Sequence, residues 1–365
     1  MERRICFKNG AMTVSKLLLL RDPCVGVERA SIVVTNAERG PGLGGTRESV
    51  WSSDADMIAD NILLAFGMEY KSLFHELPYG GGKMCVQLTV GADPERAYTA
   101  LGCSVNDLQG TFVTTEDLGT TPEKIAVMHR TAPGLILGRP IAEGGSGDPS
   151  PLTAVGVVES IAAVSRRILH RDLQEVRIWV KGLGHVGAEV ARLLLQRGAR
   201  LIVCDLLEER MKPFRGLPHA EIVSADTIAL DADIFAPCAK GGEIGPDFPP
   251  CVKAICGAAN NQLTSDEVAN LLEERGIVYV PDWVANGGGL ISVAAEHLGR
   301  SRAWAIRRAR GIGLKVDALL QESAQHGITP LQRAYQICEH NRSNDRAMNT
   351  NAVDEDEGLL SGRVA

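Results

Sequence analysis

The chain lacks any apolar run approaching the roughly 20 residues that a membrane-spanning helix needs, so no span is expected. Its densest leucine run, Leu17 to Leu20, is bracketed by Lys16 and Arg21 and is too short for the core of a signal peptide. A basic excess is also missing. The 38 lysines and arginines face 45 aspartates and glutamates, leaving a net charge of −7. Phosphate-binding surfaces need a basic footprint, so no nucleic-acid or anionic-membrane partner is expected. The one basic cluster, Ser301 to Arg310, reads as the solvated face of a helix. The nine cysteines have no paired metal-ligand spacing, so no metal site is expected. In a chain this long they read as free thiols of a reducing cytosol, and the expected location is cytoplasmic. No internal repeat stands out.

What is present suits two packed domains: 365 residues, 45% of them hydrophobic. Glu28 to Thr35 reads as a strand, and the glycine-rich stretch Gly40 to Arg47 after it as a tight connection. Asp54 to Leu77 carries Met57, Ile58, Ile62 and Phe66 at helical spacings. Met84 to Val90 and Thr111 to Thr115 read as further strands. The stretch Glu143 to Pro151 punctuates the chain, with Ser150 expected as N-cap and Pro151 as first residue of a helix running to about Leu169. Beyond it, β-prone runs at Val176–Val180, Arg200–Cys204, Asp233–Ala236, Ala254–Cys256 and Val278–Val280 alternate with helical patterns. That alternation predicts a parallel, doubly wound sheet. The last residues are polar and poor in large apolar side chains.

The strand Val176 to Val180 runs into Lys181-Gly182-Leu183-Gly184-His185-Val186-Gly187 and then into a helical pattern. This is a glycine fingerprint in a strand–turn–helix setting. Gly182 permits the tight turn, Gly184 admits a pyrophosphate near the backbone, and Gly187 allows close helix–strand packing. The helix N-terminus offers unpaired N–H groups to the anion. Asp205 ends the next strand, where a carboxylate accepts from ribose hydroxyls and repels a 2′-phosphate. The expected cofactor is therefore NAD.

Elsewhere the residues leave two readings open. Lys71, at a helix end, and Lys83, after Gly80-Gly81-Gly82, are either solvated surface lysines or a pair of cations beside a small ligand. In the second case a partly dry cleft and a nearby cation would ease deprotonation of the lysine. Thr115-Glu116-Asp117 ends an apolar strand, where Asp117 either caps a turn or takes part in chemistry.

Taken in order, these pieces resemble the leucine/phenylalanine/valine dehydrogenases, a branch of the glutamate dehydrogenase superfamily. The resemblance runs through Gly40–Arg47, Gly67–Lys83, Thr114–Thr121, Gly147–Gly156, Lys181–Gly187, Asp233–Gly242, Gly257–Leu263 and Val280–Val293. It implies an α/β fold of two domains with a cleft between them: an N-terminal α/β substrate domain and a Rossmann-like, doubly wound dinucleotide-binding domain. Their expected spans are residues 1–140, for substrate, catalysis and oligomerisation, and 141–327. Helices at about 328–345 pack back on the first domain, and 346–365 form a disordered polar tail. The implied activity is reversible, NAD-dependent oxidative deamination of an L-amino acid, branched-chain-like, to the 2-oxo acid and ammonia, in a homo-oligomer.

By the same resemblance, Lys71 and Asn261 hold the substrate carboxylate and Lys83 is the general base for the attacking water. Asp117 exchanges a proton with the substrate nitrogen. Leu43, Gly44, Thr115, Leu290 and Val293 match the substrate pocket, and Thr153 reaches the nicotinamide carboxamide. Ala236, Cys238, Ala259 and Asn260 line the cofactor beside Gly182, Gly184, His185, Val186 and Gly187.

Some positions depart from the family pattern. His185 stands for Asn in the fingerprint, Asp148 stands for Asn in the Gly-Asn-Pro-Ser-Pro turn, and Thr115 and Leu290 are larger than their counterparts. A narrower pocket favours a smaller or slightly polar substrate such as valine or 2-aminobutyrate, although a methylene shifts discrimination by only about 1–3 kcal/mol. Phe74, His75 and Glu76 occupy positions that are small in the family. A buried His75 or Glu76 there requires hydrogen bonds, a subunit interface or a specialised substrate. Two alternatives stay open: a dehydrogenase of the same superfamily acting on glutamate or a specialised metabolite, and a catalytically degenerate NAD-binding homologue.

Overall fold

A computed structural model describes residues 4–7, 10–227, 231–249 and 251–344, so the expected polar tail lies outside the described residues. The chain divides into two compact units. One comprises the described residues up to Gly147 together with those from Tyr335 on, and the other is Asp148–Ala334.

The first unit is built on six strands, β1 (Arg4–Phe7), β2 (Gly10–Asp22), β3 (Val27–Thr35), β4 (Gly42–Glu48), β5 (Gly80–Leu88) and β6 (Phe112–Glu116), ordered β1-β2-β3-β5-β4-β6. β1, β2, β3 and β5 pair antiparallel, whereas β4 lies parallel between β5 and β6. Helix α1 (Asp54–Phe74) starts where the Ser53 side chain accepts the Asp56 N–H, with Asp54 and Asp56 in its first turn, where the helix dipole favours them. It crosses one face of the sheet. The other face packs on α2 (Pro94–Asn106) and α3 (Pro122–Thr131) around Ile32, Met84, Tyr98, Leu101, Phe112 and Met128.

Two glycine-rich stretches, one expected as a connection and one expected to precede the strand from Met84, are strands instead. Gly42–Arg47 belongs to β4 and Gly80–Gly82 opens β5. Here glycine supplies clearance for packing. A Cβ on Gly81 would stand 2.0 Å from the Ala65 carbonyl oxygen of α1. β2 was not foreseen. Its Leu18 and Leu20 pack towards the core while Leu17 and Leu19 stay exposed, the alternation of a strand with one covered face.

In the second unit, α4 (Ser150–Arg167) leads into β7 (Arg177–Lys181), α5 (His185–Gln196), β8 (Arg200–Cys204), α6 (Glu208–Met211) and β9 (Ala220–Ile222). β10 (Ile234–Pro237), β11 (Ala254–Ile255), α7 (Glu267–Glu274) and β12 (Val278–Tyr279) follow. The sheet is wholly parallel and ordered β12-β11-β10-β7-β8-β9, so the direction of winding reverses between β7 and β10. This is the doubly wound arrangement that the alternating pattern predicted. α8 (Asp282–Ala285), α9 (Gly288–His297), α10 (Arg302–Arg310) and α11 (Ile312–His326) complete the unit. Ser150 is the first helical residue of α4 and not its cap, a place taken by Pro149; just before it, Oδ1 of Asp148 accepts the Ser150 N–H at 2.8 Å.

Helix α12 (330–344) carries the chain from Tyr335 on into the first unit. There the Arg342 guanidinium donates to Glu69 of α1 at 2.9 Å, bonds Glu339, and lies over the Tyr70 ring. Asn341 donates to the Leu73 carbonyl at 3.0 Å.

Candidate active site

Strand alternation collects the first group of site residues. β4 and β5 share a register that pairs Leu43 with Gly81 and Thr46 with Met84, and β4 pairs Gly45 with Thr115 of β6. Side chains two positions apart share a face, so Leu43, Gly45 and Arg47 stand with Lys83, Thr115 and Asp117. It is the face crossed by α1, whose last turn carries Lys71. Phe74 and His75 end that helix buried, their rings edge to face at 5.3 Å, and Glu76 is exposed with φ +52°.

Lys83 is 4% exposed, and its ammonium donates to Oδ2 of Asp117 at 2.8 Å, reaching over the intervening strand β4. Gly45 makes the reach possible, because a Cβ there would stand 2.7 Å from the Asp117 Cβ. Arg47 Nε donates to the same Oδ2 at 3.0 Å. The Asp117 backbone is fixed by Thr120, whose hydroxyl accepts its N–H at 2.9 Å and donates to its carbonyl at 2.8 Å. Burial alone would push the Asp117 carboxyl up. The Lys83 and Arg47 charges, and the hydrogen bonds from both, outweigh it and hold the group well below the usual carboxylate range. Asp117 is thus a carboxylate at neutral pH. Nearby, Leu43 is fully buried, and the Thr115 hydroxyl is buried with no hydrogen-bond partner among the described residues. Arg47 was not singled out from the sequence. Reading Gly42–Glu48 as a strand would have placed it two positions beyond Gly45 on the same face.

The second group lies at the carboxyl ends of β7, β8 and β10. Gly182 follows β7 at φ +95°, a backbone conformation suited to glycine, and its Cβ would meet Ala239 at 2.6 Å. At Gly187 a Cβ would meet the Gly182 carbonyl oxygen at 1.9 Å and the Cys238 side chain at 2.9 Å, so helix α5 closes directly on the loops after β7 and β10. Gly184 differs. It is the N-cap of α5, no side chain caps that helix, and a Cβ built there would meet nothing within 4 Å. Open space before uncapped N–H groups fits a pyrophosphate. Val186 lies in the first turn of α5, and His185 beside it is exposed.

Asp205 follows β8 directly, and its two oxygens accept from the N–H groups of Leu183 at 2.6 Å and Leu207 at 2.8 Å. Arg210 lies 3.5 Å away. Burial opposes ionisation of Asp205, yet those two N–H groups and Arg210 lower its titration below the ordinary value. Ala236 is buried in β10, and the Cys238 N–H after it donates to the Lys181 carbonyl at 2.8 Å, which ties the two loops together. The Ala259 N–H donates to the Pro237 carbonyl at 2.9 Å. Asn286 donates to the Asn260 side chain at 2.9 Å and to the Ala258 carbonyl at 3.0 Å, and Asp282 accepts the Asn261 N–H. Both supports, Asp282 and Asn286, lie in Val280–Val293, and neither is recognisable from the sequence as holding this loop. The Thr153 hydroxyl donates to the Pro149 carbonyl at 3.0 Å, and a Cβ on Gly289 would stand 2.6 Å from it. Leu290 and Val293 are buried one turn apart in α9.

The structure therefore brings Lys83, Asp117 and Arg47 into one cluster within the first unit. It gathers the glycine turn, Asp205, Ala236, Cys238 and Ala259 within the second. Of the expected pocket positions, Leu43 and Thr115 belong to the first unit, Leu290 and Val293 to the second.

Comparison with known proteins adds the following. A family model described as Glutamate/Leucine/Phenylalanine/Valine dehydrogenase matches residues 203–326, and one described as Glu/Leu/Phe/Val dehydrogenase, dimerisation domain, matches residues 13–133. The chain is 35% identical over 340 residues to a phenylalanine dehydrogenase of Caldalkalibacillus thermarum, covering 89% of this chain and 90% of that one. It is 34% identical over 351 residues to a leucine dehydrogenase of Thermoactinomyces intermedius, covering 95% of each. Among solved structures, the L-tryptophan dehydrogenase of Nostoc punctiforme superposes with a TM-score of 0.78 at 27% identity, over 92% of this chain and 97% of that one.

Proposed function

The chain belongs to the glutamate/leucine/phenylalanine/valine dehydrogenase family, and from that membership we propose that it is an NAD-dependent dehydrogenase of a small aliphatic L-amino acid. It is an oxidoreductase of amino-acid oxidative deamination and uses a nicotinamide cofactor. The proposal adds the choice of nucleotide, the substrate and the residues that act.

The observation that carries it is the Lys83–Asp117 contact, 2.8 Å long and spanning β4. When bound, the nicotinamide ring accepts the hydride from the substrate Cα. Lys71 and Asn261 hold the substrate carboxylate. Lys83 rests as an ammonium against Asp117; once that proton has passed to solvent, its neutral amine takes a proton from the water that attacks the resulting imine carbon. Asp117, held as a carboxylate by its two cations, accepts a proton from the substrate ammonium before the hydride leaves and returns it to the amino nitrogen of the carbinolamine. Ammonia then departs as the carbonyl forms, and the hydroxyl proton passes to Asp117. Leu43, Gly44, Thr115, Leu290 and Val293 are carried over from the family pattern as the positions that select the side chain, and three apolar groups with one hydroxyl suit valine or 2-aminobutyrate.

NAD is supported over NADP by Asp205. A buried carboxylate already ionised by two backbone N–H groups accepts from ribose hydroxyls and repels an added phosphate. Gly182, Gly184 and Gly187 admit the pyrophosphate, with His185 and Val186 at the loop tip. Ala236, Cys238, Ala259, Asn260 and Thr153 hold the nicotinamide end. The exposed Leu17 and Leu19 on the open face of β2 support a homo-oligomer built through the first unit. No helix among the described residues is long and apolar enough to cross a membrane, and the described cysteines are free thiols, which suits a reducing cytosol.

The test is reduction of NAD and of NADP by the purified protein with each common L-amino acid, followed by absorbance, alongside the Lys83→Ala variant. Small aliphatic substrates with NAD are expected to be preferred, and Lys83→Ala is expected to bind NADH normally yet turn over negligibly. Wild-type turnover in Lys83→Ala would overturn the mechanism.

A further inference from the structure

Asp117 is loaded on one side only. The Lys83 ammonium at 2.8 Å and Arg47 Nε at 3.0 Å both bond Oδ2, and Oδ1 accepts no hydrogen bond among the described residues. The Asp117 side chain keeps 23% of its surface exposed, against 5% for Lys83. A carboxylate can accept about four hydrogen bonds, so the unused capacity lies on the oxygen that faces away from the cations.

Arg47 is itself held. Nη1 lies 3.9 Å from Asp60 of α1, and Asp60 also accepts the Trp51 indole N–H at 3.1 Å. The Trp51 backbone N–H in turn donates to the Gln87 side chain of β5 at 3.0 Å. Lys83 and Arg47 thus face Asp117 and Asp60, two charges of each sign, and the planar guanidinium bridges the two carboxylates in a way an ammonium cannot. Below, Gly45 presents no side chain, and Asp117 occupies the space that a Cβ there would take; the strand beneath offers the carboxylate no polar side chain, so its orientation is set from the side by Arg47.

We propose that Arg47 is a positioning residue for the deamination reaction, fixing Asp117 with Oδ2 against the two cations and Oδ1 turned out to receive the substrate nitrogen. This rests on the roles given to Lys83 and Asp117 above. Arg47 does not touch the reacting atoms; it determines which carboxylate oxygen reaches them. Without it Asp117 keeps Lys83 but can rotate about χ1 and χ2, and Lys83 alone does not choose between the two oxygens.

The experiment compares wild type, Arg47→Ala, Arg47→Lys and Lys83→Ala as full chains with NAD and the best amino acid. In Arg47→Ala, kcat is expected to fall about 10- to 100-fold, the size of a lost charged hydrogen bond, with the KM for the amino acid and the Kd for NADH within about threefold of wild type. Guanidinium at about 20 mM, far below denaturing strength, should restore part of kcat, and sodium at the same ionic strength should not. Arg47→Lys, which keeps the charge without the fork, should fall between. A wild-type kcat in Arg47→Ala, or a loss that guanidinium does not lift, overturns the inference. If Arg47→Ala does not fold, Arg47→Lys decides, because a wild-type kcat there also overturns it. Lys83→Ala separates the two readings. Inactive Lys83→Ala with normal Arg47 variants sinks the positioning role alone, whereas active Lys83→Ala removes its foundation.

Discussion

Lys83 lies in β5 and Asp117 follows β6, two strands that are not neighbours, and their polar ends meet 2.8 Å apart over the glycines of β4. The buried ammonium has its counter-charge supplied by a residue 34 positions away in sequence. Asp117→Asn leaves Lys83 and Arg47 facing a neutral amide. Loss of one partner from a buried pair typically costs about 3–5 kcal/mol, so a marked fall in the urea midpoint at pH 7 is expected. The folded-state titration of Asp117 lies below its unfolded value. Its stabilisation is therefore present above the unfolded pKa of about 4 and is lost as pH falls below it. The gap between wild type and Asp117→Asn should narrow in that acidic window. A gap that stays constant from pH 7 to pH 3 would contradict the assignment.

Gly45→Ala tests the clearance under Asp117 without changing any charge. Its Cβ would stand 2.7 Å from that of Asp117, so the carboxylate must move. Overpacking of this kind costs about 1–3 kcal/mol of stability. The kcat should drop by more than tenfold while the Kd for NADH stays constant. An unaltered kcat would show that the position of Asp117 is not critical.

Asp205 is bound into the fold by the N–H groups of Leu183 and Leu207, so its replacement does more than remove a negative charge. Asp205→Ser should weaken NADH binding by roughly tenfold or more as the glycine turn loosens, a loss of at least 1.4 kcal/mol. It should strengthen NADPH binding only modestly. Fluorescence titration with both nucleotides checks this. A clean exchange of preference with undiminished total affinity would mean that the backbone contacts contribute little.

Arg342→Met removes the cation from Glu69 and leaves that carboxylate buried. The first unit should lose about 3–5 kcal/mol while the second retains nucleotide binding. Calorimetry should then resolve two transitions, with NADH raising only the later one. A single transition as sharp as in wild type would contradict this expectation.

The doubly wound unit was legible in the sequence because its strands are short, apolar and β-branched, and each is bounded by turn signals. Arg200–Cys204 matches its predicted limits, and β7 and β10 shift by one residue. β4 and the start of β5 were misread for the opposite reason. Glycine marks turns when only neighbouring residues are weighed, whereas Gly81 and Gly45 answer to the Ala65 carbonyl and the Asp117 side chain, which are distant in sequence. The same misreading concealed Arg47, since a residue's face within a strand has no meaning until the strand is recognised. Lys83 and Asp117 were singled out separately, and no local pattern could have disclosed that they touch.

The clasp formed by Arg342 also bears on the order in which the polypeptide is made. The second unit is a continuous stretch and is complete once Ala334 has left the ribosome. The first unit is begun earliest, yet its partner for Glu69 emerges more than 270 residues later. A nascent chain therefore holds a sheet whose strands are all made but whose helix α1 lacks its cover at the far end, throughout synthesis of its neighbour, and stalled or truncated translation products should be prime substrates for chaperones.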